Sequence, residues 1–192
     1  MTDHEDAAAT TTRANDELTR ASKFMAYVLR HHPDEIGLTL GEGGWVPVDE
    51  LLTRAAEHGR RLDAATLQRV LTMPGKQRYE TRDGLIRAAQ GHSVQVDLGL
   101  APVPPPAVLY HGTVGRFLDS IFAQGLRPGD RTHVHLSPDR ATAVTVGARR
   151  GKPVVLLVDA GAMSADGREF FRAANGVWLT ADVPPAYLTM EG

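Results

Sequence analysis

Arg131-Thr132-His133-Val134-His135-Leu136-Ser137 puts a phosphate-grade cation, two imidazoles and a hydroxyl into one short stretch, followed directly by Pro138-Asp139. Val134 and Leu136 alternate with the polar residues. That period of two predicts a strand, with Arg131, His133, His135 and Ser137 on one face and the apolar pair turned to the core. Ser137-Pro138-Asp139 predicts a helix start: a hydroxyl N-cap, proline at the first helical position and an acid in the first turn. A polar-faced strand feeding a helix needs further strands to complete its sheet, and the flanking sequence supplies them.

Before it, Val108 to His111 reads as a strand, and Thr113 predicts the cap of a helix through Phe117, Ile121 and Phe122 that stops at Gly125. After it, Val154-Val155-Leu156-Leu157-Val158, within Pro153 to Asp159, is the apolar run of a buried strand. Glu169 to Arg172 and Val177 to Thr180 read as a final antiparallel pair. Upstream, Ala101-Pro102-Val103-Pro104-Pro105-Pro106 is stiff and extended, and marks a boundary.

The amino-terminal side has a different pattern. Leu18, Ala21, Met25, Val28 and Leu29 form one stripe of a helix over 17–32, ended by His32-Pro33. Asp49 to His58 predicts a second helix closed by Gly59, and Asp63 caps a third through Leu67, Val70 and Leu71. Arg78-Tyr79-Glu80-Thr81, a turn at Asp83-Gly84 and Leu85 to Ala88 form a hairpin. Residues 1–16 have low complexity and no apolar period, which predicts a disordered tail. The expected division is a tail at 1–16, a lobe at 17–100, a linker at 101–106 and a second lobe at 107–192, the whole of α+β class.

Composition narrows the chemistry. The chain has no cysteine, which excludes disulfides and thiolate metal sites. Its net charge of −2 hides an acidic start: without residues 1–18 there remain 20 basic and 18 acidic residues. A local basic cleft is therefore permitted. No apolar run reaches the roughly 18 residues of a membrane span, and the start is not signal-like, so a cytoplasmic location is expected.

Outside the opening stretch, the polar candidates are Arg30-His31, Arg78 and His111-Gly112-Thr113. Each has an ordinary explanation: cations at the end of a helix dipole, an edge charge on a hairpin, a hydrogen-bonded core histidine. His133 and His135 present two imidazoles to a metal, without further ligands at a telling spacing. No Gly-x-Ser-x-Gly elbow is present, and Gly41-Glu42-Gly43-Gly44 lacks the Lys-Ser/Thr of a phosphate loop.

Six blocks in order remove that independence: Leu29-Arg30-His31-His32-Pro33, Gly44-Trp45-Val46, Lys76-Gln77-Arg78-Tyr79, Tyr110-His111-Gly112-Thr113, Arg131 to Ser137, and Gly176-Val177-Trp178-Leu179-Thr180. Together they closely resemble the NAD-dependent RNA 2′-phosphotransferase family, of the tRNA 2′-phosphotransferase type, over about residues 19–190. The resemblance implies a winged-helix-like lobe followed by a lobe of ADP-ribosyltransferase fold. It implies two substrates: an RNA with an internal 2′-phosphate, tRNA-like, and NAD⁺, which is consumed. Neither a metal nor a membrane is implied, and a monomer is expected.

The family's essential Arg-His-Arg-Arg set falls on Arg30, His31, Arg78 and Arg131. Its NAD⁺-binding residues fall on His111, Gly112 and Thr113, on the His133/His135 strand with Ser137, and on the region of Val177. Strand alternation leaves open which of His133 and His135 is the ligand. In the implied reaction the 2′-phosphate attacks C1″ of the nicotinamide ribose and expels nicotinamide. The ribose 2″-hydroxyl then attacks phosphorus, giving 2′-hydroxyl RNA and ADP-ribose 1″,2″-cyclic phosphate. Gly129-Asp130 before Arg131 and the acidic tail are less family-like. Two other readings stand beside this one: an ADP-ribosyltransferase acting on terminal phosphates of RNA or DNA, and a non-enzymatic winged-helix nucleic-acid-binding protein.

Overall fold

The computed structural model describes residues 3–74 and 77–191, with side chains from residue 14 onward. The fold is α+β, with three small antiparallel sheets among the described residues. The chain divides into two compact units, Met1–Leu98 and Gly99–Gly192.

In the first unit, α1 (Asp3–Arg30) buries Leu18, Ala21, Met25, Val28 and Leu29, the stripe expected from sequence. It starts well before residue 17, so the segment whose composition predicts a disordered tail is helical from Asp3; Met1 and Thr2 lie outside the described residues. Acids near its start, three alanines and the absence of Gly or Pro leave nothing in this segment to break a helix, which continues into the turns whose apolar stripe is buried. The helix ends at Arg30 rather than at His32, just ahead of Pro33.

Next come β1 (Val46–Pro47), α2 (Val48–Glu57) and α3 (Ala64–Leu71). Gly59 takes φ 67° just past α2, and Asp63 accepts the Thr66 amide at 2.7 Å as the N-cap of α3. The hairpin of β2 (Tyr79–Arg82) and β3 (Leu85–Ala88) turns through Asp83 and Gly84, both at positive φ (48° and 74°), as a two-residue hairpin loop demands. The sheet order is β1-β3-β2. The Gly84 carbonyl accepts the Val48 amide at 2.9 Å, so the hairpin turn satisfies the first donor of α2, where Pro47 offers no side-chain cap.

The second unit has two sheets. β4 (Val108–Val114) pairs with β6 (Pro153–Asp159), which also pairs with β9 (Leu188–Met190); its buried Val155, Leu156 and Val158 are the expected apolar run. β5 (Val134–Leu136) pairs with β8 (Trp178–Thr180), which pairs with β7 (Phe171–Arg172). The helices are α4 (Leu118–Gln124), α5 (Arg140–Gly147) and α6 (Ala160–Ala165).

Three local expectations are corrected. Thr113 lies buried inside β4 and caps nothing, because the strand runs on to Val114 in full register with β6. The cap of α5 is Asp139, not Ser137: its carboxylate takes both the Thr142 amide (2.7 Å) and hydroxyl (2.9 Å), while Ser137 is held by two backbone hydrogen bonds to Tyr110. The strand drawn from Arg131 to Ser137 shortens to Val134–Leu136, with Arg131 to His133 in a bend before it. Gly125 does end α4, at φ 80°. No helix among the described residues is long and apolar enough to cross a membrane.

Candidate functional site

The first unit assembles its polar residues at the end of α1. Arg30, half-buried, donates from Nη2 to the Arg78 carbonyl at 3.4 Å across 48 positions of sequence. Arg78 stands one residue ahead of β2. Tyr79 beside it is buried, its hydroxyl donating to the Ser22 carbonyl of α1 at 2.5 Å. The hairpin is thus anchored to the helix that carries Arg30 and His31. Lys76, quoted above with Arg78, lies outside the described residues.

A segment that sequence reasoning passed over completes this cluster. The amides of Ser93 and Val94 donate to the Arg30 carbonyl (2.9 and 3.4 Å), capping the helix end, and the Ser93 hydroxyl meets His31 Nδ1 at 2.9 Å. His92 is 1% exposed. Burial, helped by the charges of Arg30, His31 and Arg87, pushes its pKa down to about 4, so it is a neutral imidazole behind a cationic surface. The only hint in sequence was a His-Ser pair after Gly91, and lone histidines in loops are too common to stand out.

Arg87 is also nearly buried. It donates to the carbonyls of Gly43 and Leu98, pairs with Glu80 at 3.0 Å and lies 4.5 Å over the Trp45 ring. Its contacts are internal to the unit and fix the glycine loop against the hairpin.

The second unit gathers its groups where β4 and β5 meet, joined by the Tyr110–Ser137 bridge. His111 Nδ1 lies 3.2 Å from the His135 carbonyl. A carbonyl only accepts, so the proton sits on Nδ1 and Nε2 is an acceptor. Burial and, more weakly, Arg150 keep His111 below the ordinary histidine range, which favours the neutral ring.

Arg131 Nη1 lies 2.6 Å from His135 Nδ1. Guanidinium only donates, so Nδ1 of His135 accepts and its neutral ring carries its proton on Nε2. Arg131 counts as exposed, yet desolvation of its guanidinium, then Arg150 and Arg149, lower its pKa; the Arg149-Arg150 pair therefore adds to a basic cluster that sequence reading did not include. His133 turns elsewhere, against Phe171 edge-on at 5.7 Å and Thr132 Oγ1 at 3.1 Å. Of the two histidines, His135 is the one beside Arg131 and His111.

Gly112 has a packing duty. A Cβ there would fall 1.8 Å from the Ala143 carbonyl oxygen, so α5 lies directly on β4; Gly147 makes the reciprocal approach to Thr113. Val177 is buried with Ala173 and Leu179, beside Phe171. Among the described residues no group of three or more His, Asp or Glu is arranged to hold a metal. A hollow of about 300 Å³ lined by Arg168, Glu169, Phe171 and Thr180 lies in this unit. It holds none of the histidines or Arg131, and its Arg168 is paired with Asp182 at 2.8 Å, so chemistry is better sought at the β4–β5 junction.

Residues 16–182 match the family described as RNA 2′-phosphotransferase, Tpt1 / KptA family. A probable RNA 2′-phosphotransferase of Agrobacterium fabrum is 57% identical over 175 residues, covering 90% of this chain and 94% of its own. Proteins of the same description from Streptomyces griseus and Streptomyces coelicolor are 53% and 52% identical, each over 90% of this chain and 96% and 95% of their own.

Proposed function

The chain belongs to the RNA 2′-phosphotransferase, Tpt1 / KptA family and is a transferase; on that premise we propose that it moves an internal RNA 2′-phosphate onto NAD⁺. The observation that carries the reading is the gathering of Arg30, His31 and Arg78 at one helix end, residues far apart in sequence and of the types a phosphate needs. Arg131 with His135 and His111 forms the second group. We assign the first unit a winged-helix-like role on RNA, in keeping with its helices and β1-β3-β2 sheet, and the second an ADP-ribosyltransferase-like role on NAD⁺.

The chemistry asks little of acid or base. The attacking phosphate is already ionised and nicotinamide leaves neutral. Arginine suits both steps, since its planar fork holds two phosphate oxygens and stays charged as negative charge builds on phosphorus. His31 positions the phosphate or moves a proton in the second step. Nε2 of neutral His111 accepts from a ribose hydroxyl, and Nε2–H of His135 donates. Thr113, Ser137 and Val177, all buried, shape the walls of the NAD⁺ site, and Gly112 keeps that wall thin. Location in the cytoplasm, action on tRNA-like RNA and function as a monomer belong to the same proposal.

The test is to incubate the full chain with NAD⁺ and an oligonucleotide bearing an internal 2′-phosphate, following nicotinamide and phosphate together. Release of nicotinamide with loss of the 2′-phosphate as ADP-ribose cyclic phosphate is expected. Nicotinamide release with the phosphate retained under an ADP-ribosyl group would instead favour the terminal-phosphate reading.

A further inference from the structure

Histidine has two ring nitrogens, and what holds one decides what the other offers. In the first unit the Ser93 hydroxyl stands 2.9 Å from His31 Nδ1, on a segment tied to the helix end through the Arg30 carbonyl. We propose that Ser93 is a positioning residue: it grips His31 at Nδ1 and so presents Nε2 to the RNA phosphate. The inference rests on the proposed placement of His31 at that phosphate.

Three features make Ser93 suited to this. Its backbone amide, with that of Val94, is bound to the Arg30 carbonyl, so the hydroxyl is set by main chain and not by a mobile loop. Its neighbour His92 is 1% exposed and anchors the segment in the core. A hydroxyl, unlike an amide or a carboxylate, both donates and accepts. It therefore keeps its hold on Nδ1 whether the ring is neutral with a bare Nδ1 or protonated there. That property fits a histidine that touches phosphate in one step and handles a proton in the next. A carboxylate at this place would fix the imidazolium; Ser93 fixes the orientation and leaves the charge free to change.

Because the helix-end contacts come from backbone, Ser93→Ala removes only the grip. Phosphate loss is expected to slow about tenfold, the worth of one hydrogen bond to a charged or reacting group. Ser93→Thr, which keeps the hydroxyl, restores it. In a His31→Ala background, Ser93→Ala costs nothing more, because its effect passes through the missing ring. Without substrates, the ring-nitrogen NMR signals of His31 in the full chain should shift in Ser93→Ala and stay put in Ser93→Thr.

Unchanged His31 signals in Ser93→Ala overturn the inference whatever the activity, and so does a full additional loss in the double variant. If His31→Ala itself removes phosphate at the normal rate, the placement of His31 at the phosphate fails. The inference then falls with it, and the NMR signals still report whether the Ser93 grip was real.

Discussion

The two polar clusters are built in opposite ways. In the second unit, Arg131 and His135 are four residues apart, and His111 joins them from the neighbouring strand through a backbone carbonyl. In the first, Arg30, His31, Arg78 and Ser93 come from three separate segments, tied by a long arginine–carbonyl contact and by amides from residues 93 and 94. One cluster is written into a short stretch of sequence; the other exists only after the chain has folded. The second unit's site should therefore resist loss of fold-level contacts, and the first unit's should not.

The largest expected effects fall on the arginines proposed to hold phosphate. Arg131→Ala and Arg78→Ala should each slow phosphate removal by about 10²–10³, with melting behaviour little changed. Arg131→Lys should recover only a small part, since an ammonium lacks the fork. A near-normal rate in either alanine variant would break the assignment.

Gly112→Ala is the steric probe of the second cluster. With the Ala143 carbonyl oxygen only 1.8 Å from the new methyl, backbone must move. A stability loss of about 3 kcal/mol is expected, and denaturant titration measures it.

The matching probe of the first cluster is pH. His92 is neutral in the fold, with a pKa of about 4, against 6.5 when unfolded. Between those values the unfolded chain binds the extra proton, so stability is complete above pH 6.5, falls as pH drops towards 4, and levels off below it. The drop is on the order of 3 kcal/mol. Melting scans of the wild type and His92→Gln should differ in slope across that window, and equal slopes would remove His92 from the account.

Smallest are the caps. Asp63→Ala in the first unit and Asp139→Ala in the second should each lower the melting midpoint by roughly a few degrees.

The same contrast explains what could be read in sequence. The hairpin, the Asp63 cap, the stops at Gly59 and Gly125 and the buried run of β6 all follow from signals within a few residues, and the structure has each of them. β1 and β9 escaped notice because two or three residues, one of them proline in β1, carry no periodicity; only their pairing with β3 and β6 makes them strands. Thr113 misleads because a threonine before a helix-like pattern looks the same whether it caps or continues a strand. Arg131 and His135 were legible as neighbours. Ser93 and His92 were not, since their meaning lies in contact with residues some sixty positions earlier.

The hydrogen bond from the Val48 amide to the Gly84 carbonyl has a consequence for motion. A hairpin tip of this kind is usually the first part of a domain to fray. Here, opening the tip also releases the first turn of α2, so the two must loosen as one cooperative unit. Slow exchange of the Val48 amide with solvent deuterium, at the same rate as the amides of β3, would be its signature. The tip then behaves as a strut, and any RNA laid against it would meet a fixed surface.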